Sequence, residues 1–582
     1  MTAAFLSDPS STPFARAAIL PQRQTPMVHS PPERSLGRIG LIVGAATGMS
    51  KLGGLVRQLA LAAAFGIGPA YDAYNYAYVV PGFLLILLGG INGPFHSAMV
   101  SVLAKRDRQQ ARRLLETVNT MVGMVLVLVT LALVLGAERI IDVTAPGLAL
   151  AGKETIRQLA VLQVRLMAPL ALVAGLVGLG FGALNAADAF WLPSLSPLLS
   201  SLAVLAGLGW LWWQLGADIG APEQALLGGI VLGVSTTAGG LLQWLAQLPA
   251  MGRLGLGWPR LRWHWRDAGV WEVLRVMGPA TLSSGMLYIA VFTDLFFASL
   301  LPRQGVAAGL TYANLLVQTP LGIVSSMVLV PLLPALSRMV KTADVEGFRR
   351  QLRWGLMVSV AAMLPMGALL MVLAEPLIRT VYGHGAFDSR AAELVGALLV
   401  AYGLGMPAYL ARDVLVRAFY ALEDAVTPFR IAAVSIGLNV VLDWTLTGGP
   451  TPAGLLLPFN FGAAGLVLAT MGVNVSAALA LMISLQRHGR SLPWRSLLRD
   501  SLALLLATGL AVLATALASR LVAWPRGFLG GVLELLVSAG LGLVSYGLLA
   551  RHLRVAEAEE LLQLMGRRLR GRGGRASGPE AD

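Results

Sequence analysis

The chain has 582 residues, of which 56% are hydrophobic and only 13% are charged. Soluble domains carry about 25% charged residues, so the composition excludes a soluble protein and predicts one embedded in a membrane along most of its length. The absence of cysteine excludes disulfides and thiolate chemistry. The net charge of +14 is concentrated in loops and tails, as membrane orientation requires, and this distribution excludes a nucleic-acid partner.

Fourteen apolar segments are each long enough to cross a hydrocarbon core of about 30 Å as a helix. In chain order they are 38–64, 71–104, 115–137, 154–184, 190–214, 223–252, 269–301, 306–337, 352–374, 391–421, 426–448, 459–485, 497–519 and 527–550. Residues 1–36 lack the apolar run of a signal peptide, and we predict a disordered cytoplasmic extension there. Residues 556–582 are predicted to form a basic cytoplasmic tail.

The loops between these segments alternate between many and few basic residues. If the N-terminus is cytoplasmic, twenty-nine Lys and Arg residues lie in cytoplasmic loops and tails, and seven lie in external loops. This bias predicts a multi-pass inner-membrane protein with both termini in the cytoplasm.

A weak internal repeat divides the chain. Tyr76-Ala-Tyr78 followed by Pro81 is similar to Tyr312-Ala-Asn314 followed by Pro320, and each motif lies in the second helix of its half. We therefore predict an all-α polytopic fold with two six-helix lobes, whose interface is where transporters of repeat architecture bind substrate. The predicted domains are an N-lobe at 37–252, a C-lobe at 253–486 and two further helices within 487–555.

Two cations interrupt the first apolar segment, Lys51 and Arg57. A charge at the bilayer centre costs at least about 2.5–3.5 kcal/mol, so both side chains are expected to face a wet cavity that accepts an anion. Asp294, in the seventh segment, is predicted either to pair with one of these cations in one transport state or to form a local hydrogen bond.

Further polar residues are candidates on the same grounds. Asp72 begins the second helix, where it could complement the helix dipole or take part in gating. Asn92, His96 and Gln318 could line the cavity or form hydrogen bonds between helices.

The tenth segment ends with three charged residues, Arg412, Asp413 and Arg417. Arg412 and Asp413 are expected to form a local pair, and the group is interpreted either as a cytoplasmic gate or as an anchor at the helix end.

Enzyme chemistry finds no support in the sequence. The histidines lack HExxH spacing, metal-type carboxylate clusters are absent from the apolar segments, and no GxxxxGK[ST] loop binds ATP. We predict a transporter without a cofactor, whose coupling to the membrane potential or to an ion is left open.

Several motifs in order and spacing carry a family resemblance. They include Lys51-Leu-Gly-Gly-Leu-Val-Arg57, Ala63-Ala-Phe-Gly-Ile-Gly-Pro69, Asp72-Ala73, Arg417-Ala-Phe-Tyr420 and Thr427-Pro428. Over about residues 37–550 the chain resembles the MurJ (MviN) family of lipid II flippases, within the multidrug/oligosaccharidyl-lipid/polysaccharide exporter superfamily.

The resemblance implies alternating access of two lobes and transport of lipid II, an undecaprenyl-pyrophosphate-linked glycopeptide, for peptidoglycan synthesis. It also implies a groove for the lipid tail in the last two helices, and contacts with membrane lipids and cell-wall synthesis proteins. The residues predicted to bind substrate are Lys51, Arg57, Asp72, Asn92, His96, Asp294 and Gln318, and those predicted to gate are Arg412, Asp413 and Arg417.

The chain departs from the family pattern at three positions that are usually charged, Gln58, Leu315 and Gln318. Two alternatives therefore stay open at this point. One is an exporter of another undecaprenyl-linked oligosaccharide or of a small molecule. The other is a membrane scaffold for cell-wall proteins that transports nothing.

Overall fold

The computed structural model describes residues 36–90, 93–256, 260–264, 266–286, 289–449, 459–487, 492–525, 527–553 and 555. Asn92, residues 1–35 of the predicted extension and the predicted tail at 556–582 lie outside the described residues. The helices are α1 Leu36–Phe65, α2 Pro69–Gly89, α3 Pro94–Leu103, α4 Arg108–Thr144, α5 Glu154–Met167, α6 Leu170–Ala186, α7 Trp191–Leu195, α8 Pro197–Leu215, α9 Ala225–Arg253, α10 Ala268–Met286, α11 Ile289–Leu300, α12 Val306–Lys341, α13 Val345–Val372, α14 Ala374–Val381, α15 Ser389–Ala421, α16 Val426–Leu446, α17 Ala463–Arg487, α18 Trp494–Leu521 and α19 Phe528–His552.

The described part of the chain contains eleven helical stretches that are long and apolar enough to cross a membrane, or twelve when the bent pair α5–α6 is counted as one. The all-α polytopic class is therefore confirmed, whereas the number fourteen is not. Helices α1, α10 and α11 are not among these stretches, and segment 269–301 is divided between α10 and the shorter apolar helix α11.

The helices pack in two groups. In the first half, α2 packs on α5 and α6, and α8 on α9; in the second half, α15 lies between α12, α13 and α17. The hairpin α18–α19 packs on α13. Helix α10 packs on α3 of the first half, whereas α11 contacts both halves, at the turn Pro146–Ala149 and α4 of the first and at α12 and α16 of the second. Segment 269–301 is thus shared between the halves, and the domain boundary at residue 253 stays a prediction.

Prolines and glycines shape these contacts. Helices α5 and α6 meet at a 40° bend next to Pro169, whose ring removes a backbone donor. Helices α13 and α15 cross closely, since a Cβ on Gly367 would lie only 2.2 Å from the carbonyl oxygen of Gly403. Small residues let helices approach in this way where apolar lipid provides no force to bring them together.

The bundle has two distinct ends. The loops at one end, called the arginine-rich end, carry most of the basic residues, for example between α3 and α4 and between α9 and α10. The other end, called the arginine-poor end, is where α1 and α11 finish and where α2, α12, α15 and α19 begin.

Candidate functional site

The two halves meet at the arginine-poor end through a buried carboxylate. Asp72 lies in the first turn of α2, and its Oδ2 accepts a hydrogen bond from Gly305 N at 3.0 Å. Its Oδ1 accepts another from Ala308 N at 3.1 Å. The sequence predicts that Asp72 complements the dipole of its own helix or takes part in gating. In the structure, its carboxylate contacts the first turn of α12, whose backbone donors have no partner within their own helix. Asp72 therefore joins the halves.

Further hydrogen bonds close the same end. Tyr312 Oη donates to Gly66 O at 2.9 Å, and Ala386 N donates to Ala63 O at 2.8 Å. Lys153 Nζ, which is buried, donates to Ser299 O at 2.6 Å. We call the set Ala63, Gly66, Asp72 and Lys153, with Ser299, Gly305, Ala308, Tyr312 and Ala386, the interlobe latch.

Lys153 lies in the turn before α5, outside the membrane-crossing helices. Burial lowers the pKa of its ammonium group, and the nearby charge of Asp72 acts in the opposite direction. The latch therefore includes two opposite charges, each satisfied by backbone groups of the other half. Lys153 is not predicted from the sequence, because a basic residue in a loop that is expected to be external has an ordinary explanation there.

Arg57 has no acceptor for one of its nitrogens. The residue is half-buried in α1, and its Nε is buried without a hydrogen-bond partner among the described residues. Its charge acts on the hydroxyls of Tyr71, Tyr74 and Tyr78, whose rings stack at 5.9 and 5.4 Å between successive centroids. A buried donor without a partner is costly, about 1–3 kcal/mol, and an incoming anion would satisfy it.

The neighbouring Gln58 has a structural role in the first half. Its Nε2 donates to Tyr71 Oη, so the amide found here in place of the family's usual charge holds the tyrosine stack beside Arg57.

Lys51 is exposed on α1. Six residues correspond to a rise of about 9 Å and a rotation of about 120° between its Cα and that of Arg57. The two cations therefore lie on different faces of the helix, and within the described ranges neither forms an ion pair.

A small cavity of about 50 Å³ lies between α12, α15 and α17 in the second half. Asn314, Gln318 and Asn474 contribute amides to its wall. Arg412 Nη1 donates to Asn474 Oδ1 at 2.6 Å, and its Nη2 pairs with Asp413 Oδ1 at 2.7 Å. The predicted local pair is confirmed, and it is anchored to the cavity wall.

Two carboxylates share one amide in the second half. Asn439 Nδ2 donates to Asp443 Oδ2 at 2.6 Å and to Asp294 Oδ1 at 3.3 Å. Asp443 is fully buried, and its Oδ1 has no partner among the described residues. Asp294 is half-buried, and neither carboxylate forms an ion pair among the residues that the structure describes, an arrangement that favours the uptake of a proton or a cation. Asp294 thus lies with α16 here, while its pairing with Lys51 or Arg57 in another state stays a prediction.

Sequence analysis missed Asp443. A signal was present, since Asn439 and Asp443 are four residues apart and therefore share one face of an apolar helix. No group of three or more His, Asp or Glu side chains that could hold a metal is found among the residues described.

The remaining predicted residues are dispersed. His96, in α3, is buried against α6. Asn185 Nδ2 donates a hydrogen bond to its Nε2 at 2.6 Å. Arg417 is half-buried near the end of α15. Roles of these residues in binding or gating stay predictions.

Comparison with known proteins gives a consistent result. The model of a family described as lipid II flippase MurJ matches residues 61–537. A protein of Synechocystis sp. named "Probable lipid II flippase MurJ" is 50% identical over 455 residues, which cover 78% of this chain and 82% of that protein. A Vibrio cholerae protein with the same name is 30% identical over 75% of this chain and 80% of its own length.

Solved structures show the same fold. A structure described as "Lipid II flippase MurJ, inward closed conformation" superimposes with a TM-score of 0.68 at 21% identity, covering 88% of this chain and 99% of that one. An inward-facing multidrug resistance transporter of the MATE family, in the MOP superfamily, gives a TM-score of 0.58 at 14% identity, covering 77% and 98%. At these identities the likeness concerns the fold alone.

Proposed function

The chain belongs to the MurJ family of lipid II flippases, and from this premise we propose how its residues carry the substrate. It is a membrane-embedded lipid II flippase, a transporter rather than an enzyme, and it serves peptidoglycan synthesis. The alternatives of a different exporter and of a scaffold find no specific observation in their favour.

Arg57 carries the proposal for substrate binding. Its buried Nε lacks an acceptor among the residues that are described, and the pyrophosphate of lipid II offers oxygens that match the planar fork of a guanidinium. Lys51, exposed on another face of α1, would act as a point charge that attracts the anion. The amides of Gln318 and Asn474 provide neutral partners in the opposite half.

The interlobe latch supports a direction of transport. With the arginine-rich end in the cytoplasm, the latch closes the outer end of the bundle, and the head group would enter from the cytoplasmic side. Release outside requires the bonds of Asp72 and Lys153 across the halves to break. Both termini would then be cytoplasmic.

The hairpin α18–α19 is proposed to carry the lipid tail. In the half of the hairpin nearer the arginine-rich end, the surface exposes large apolar side chains, among them Leu502, Leu506 and Leu548. Such an apolar surface is stable in contact with hydrocarbon, so the tail could stay in the bilayer while the head group crosses between the halves.

Complementation tests the whole proposal. The full chain, expressed in a bacterium depleted of its own flippase, should restore growth and the appearance of lipid II in the outer leaflet. An empty vector is the control, and an epitope inserted after Arg108 should be accessible only from the cytoplasm. Normal expression without externalised lipid II would refute the proposal, and an epitope accessible from outside would refute the orientation.

Asp294 and Asp443 are proposed to couple transport to a proton or a monovalent cation. Asn439 donates to both carboxylates, and the Oδ1 of Asp443, which has no hydrogen-bond partner within the described ranges, is left as an acceptor for it. One charge moved across the membrane potential supplies about 2.3 kcal/mol per 100 mV, which is enough to bias the return of an empty carrier.

Asp443→Asn should remove this coupling. In proteoliposomes, we expect lipid II transport by the unchanged chain to rise several-fold when a proton or sodium gradient is imposed, because one buried charge gives about tenfold at 60 mV. The variant should transport at the same rate with and without either gradient. Asp142→Asn, which alters an exposed ion pair with Arg157, is the matched control. A variant that keeps the gradient response would disprove the coupling role.

A further inference from the structure

A second cavity lies apart from the path between the halves, at the arginine-poor end. It has a volume of about 460 Å³ and separates α14 from the hairpin α18–α19. Its lining includes Arg379, His384, Ser519, Trp524, Phe528 and Glu534. The cavity is therefore large enough for a small polar group, and it combines both signs of charge with aromatic walls.

Glu534 is the unusual residue of this cavity. It lies in α19, about one and a half turns from the first residue, and is only 7% exposed. Ser519 Oγ donates to its Oε1 at 2.6 Å, whereas its Oε2 is 4.0 Å from Arg379 Nη2, beyond hydrogen-bond distance. An ionisable residue within a membrane helix is costly and indicates a functional site.

Arg379 leaves the charge of Glu534 incompletely matched. Its side chain is 68% exposed, and an ion pair of this kind contributes at most about 1 kcal/mol. The guanidinium is therefore free to bind a second anion at the rim, while Glu534 keeps one carboxylate oxygen for a donor from inside the cavity.

The walls fit a cation and a lipid interface. The ring of His384 lies 6.2 Å from that of Phe528, and Trp524 Nε1 donates to Ser519 O at 3.2 Å. Aromatic faces attract ammonium groups, and tryptophan is enriched at the level of lipid head groups. The walls of the cavity are therefore suited to a lipid head group that carries an ammonium.

An apolar surface continues from the cavity along the hairpin. Leu521 and Leu529 are 77% and 76% exposed, and Leu517, Leu533 and Leu536 are exposed as well. Acyl chains could cover this surface, since burying apolar area contributes about 25 cal/mol per Å². Polar cavity and apolar surface together match an amphipathic ligand.

We propose that this cavity binds a phospholipid whose head group carries a primary ammonium beside its phosphate, of the phosphoethanolamine class. Glu534 accepts a hydrogen bond from the ammonium, and Arg379 binds the phosphate. The acyl chains lie on the exposed leucines next to the cavity, Leu517, Leu521 and Leu529. The lipid fills the space between the hairpin and α14, and the site does not depend on the transported substrate.

Native mass spectrometry of the full-length chain in detergent tests this site, with dioleoylphosphatidylethanolamine or dioleoylphosphatidylglycerol added. We expect the unchanged chain to bind the ethanolamine lipid about tenfold more tightly, which corresponds to one charged hydrogen bond. Glu534→Gln keeps an acceptor for Ser519 but loses the charge, so the preference should disappear. Arg379→Gln should weaken binding of both lipids, because both carry the phosphate.

The exposed pair of Arg303 and Glu393, 3.8 Å apart at the same end, supplies the matched controls. Arg303→Gln and Glu393→Gln should leave both affinities unchanged. The unchanged chain should also prefer the ethanolamine lipid to dioleoylphosphatidylcholine, whose quaternary ammonium cannot donate a hydrogen bond. The proposal is overturned by equal binding of these lipids, by tighter binding of the glycerol lipid, or by a Glu534→Gln variant that retains the preference.

Discussion

Arg57→Ala should abolish lipid II transport while the protein is still made and inserted. The variant removes the guanidinium whose buried Nε has no hydrogen-bond partner in the described part of the chain, so the pyrophosphate would enter the first half without its bidentate contact. Losing one partner of a buried charge pair costs about 2–5 kcal/mol, which corresponds to a fall of roughly 30- to 3,000-fold in affinity. The measurement is lipid II externalisation in cells depleted of their own flippase.

Two variants sharpen this test. Arg57→Lys should retain partial activity, since an ammonium keeps the charge but loses the planar fork. Arg139→Ala removes an exposed arginine of α4 at the arginine-poor end, and it should transport normally. Full activity of Arg57→Ala at normal expression would exclude Arg57 from substrate binding.

Asp72→Asn should shift the transporter toward the state that is open at the arginine-poor end. The carboxylate accepts two backbone hydrogen bonds from α12 across the halves, and hydrogen bonds to a charged group contribute about 1.5–3 kcal/mol each. Losing one such bond changes the ratio of closed to open molecules by about 10- to 100-fold. We therefore expect distances between the halves at this end to lengthen.

The absence of cysteine makes this measurement direct. Glu223 in the first half and Glu393 in the second are both exposed at the arginine-poor end. With Glu223→Cys and Glu393→Cys carrying spin labels, pulsed electron paramagnetic resonance measures the distance between the two labels. Asp388→Asn is the matched control, because Asp388 caps its own helix by accepting from Ala391 N at 2.8 Å. It should lower stability without changing the distance. Identical distance distributions in Asp72→Asn and the unchanged chain would exclude the latch role of Asp72.

Three buried carboxylates near the arginine-poor end of the bundle have separate observed or proposed roles. Asp72 joins the halves, Asp443 is proposed to take up a cation, and Glu534 is proposed to hold a lipid. Each lies on a different helix, and each has distinct partners, so the three single variants should separate latch opening, ion coupling and lipid preference.

Much of the protein follows from the order of its residues. Composition and the length of the apolar segments determine a helical membrane protein, and the match to the family model over residues 61–537, which includes Arg417, determines its family. The Arg412–Asp413 pair was also predictable, because neighbours in sequence can meet without long-range packing. These features depend on local chemistry and on the solvent properties of lipid.

Packing between distant helices decided the rest. Asp72 meets Gly305 across 233 positions of sequence, and Asn439 meets Asp294 across 145. Periodicity shows which helix a residue belongs to, but not which neighbour faces it, because apolar surfaces in lipid pack by shape rather than by pattern. The sequence by itself therefore determined class and family and made Arg57 a candidate for anion binding, whereas the tertiary structure decided which carboxylate joins the halves, which two share an amide and which one lines the cavity beside α14.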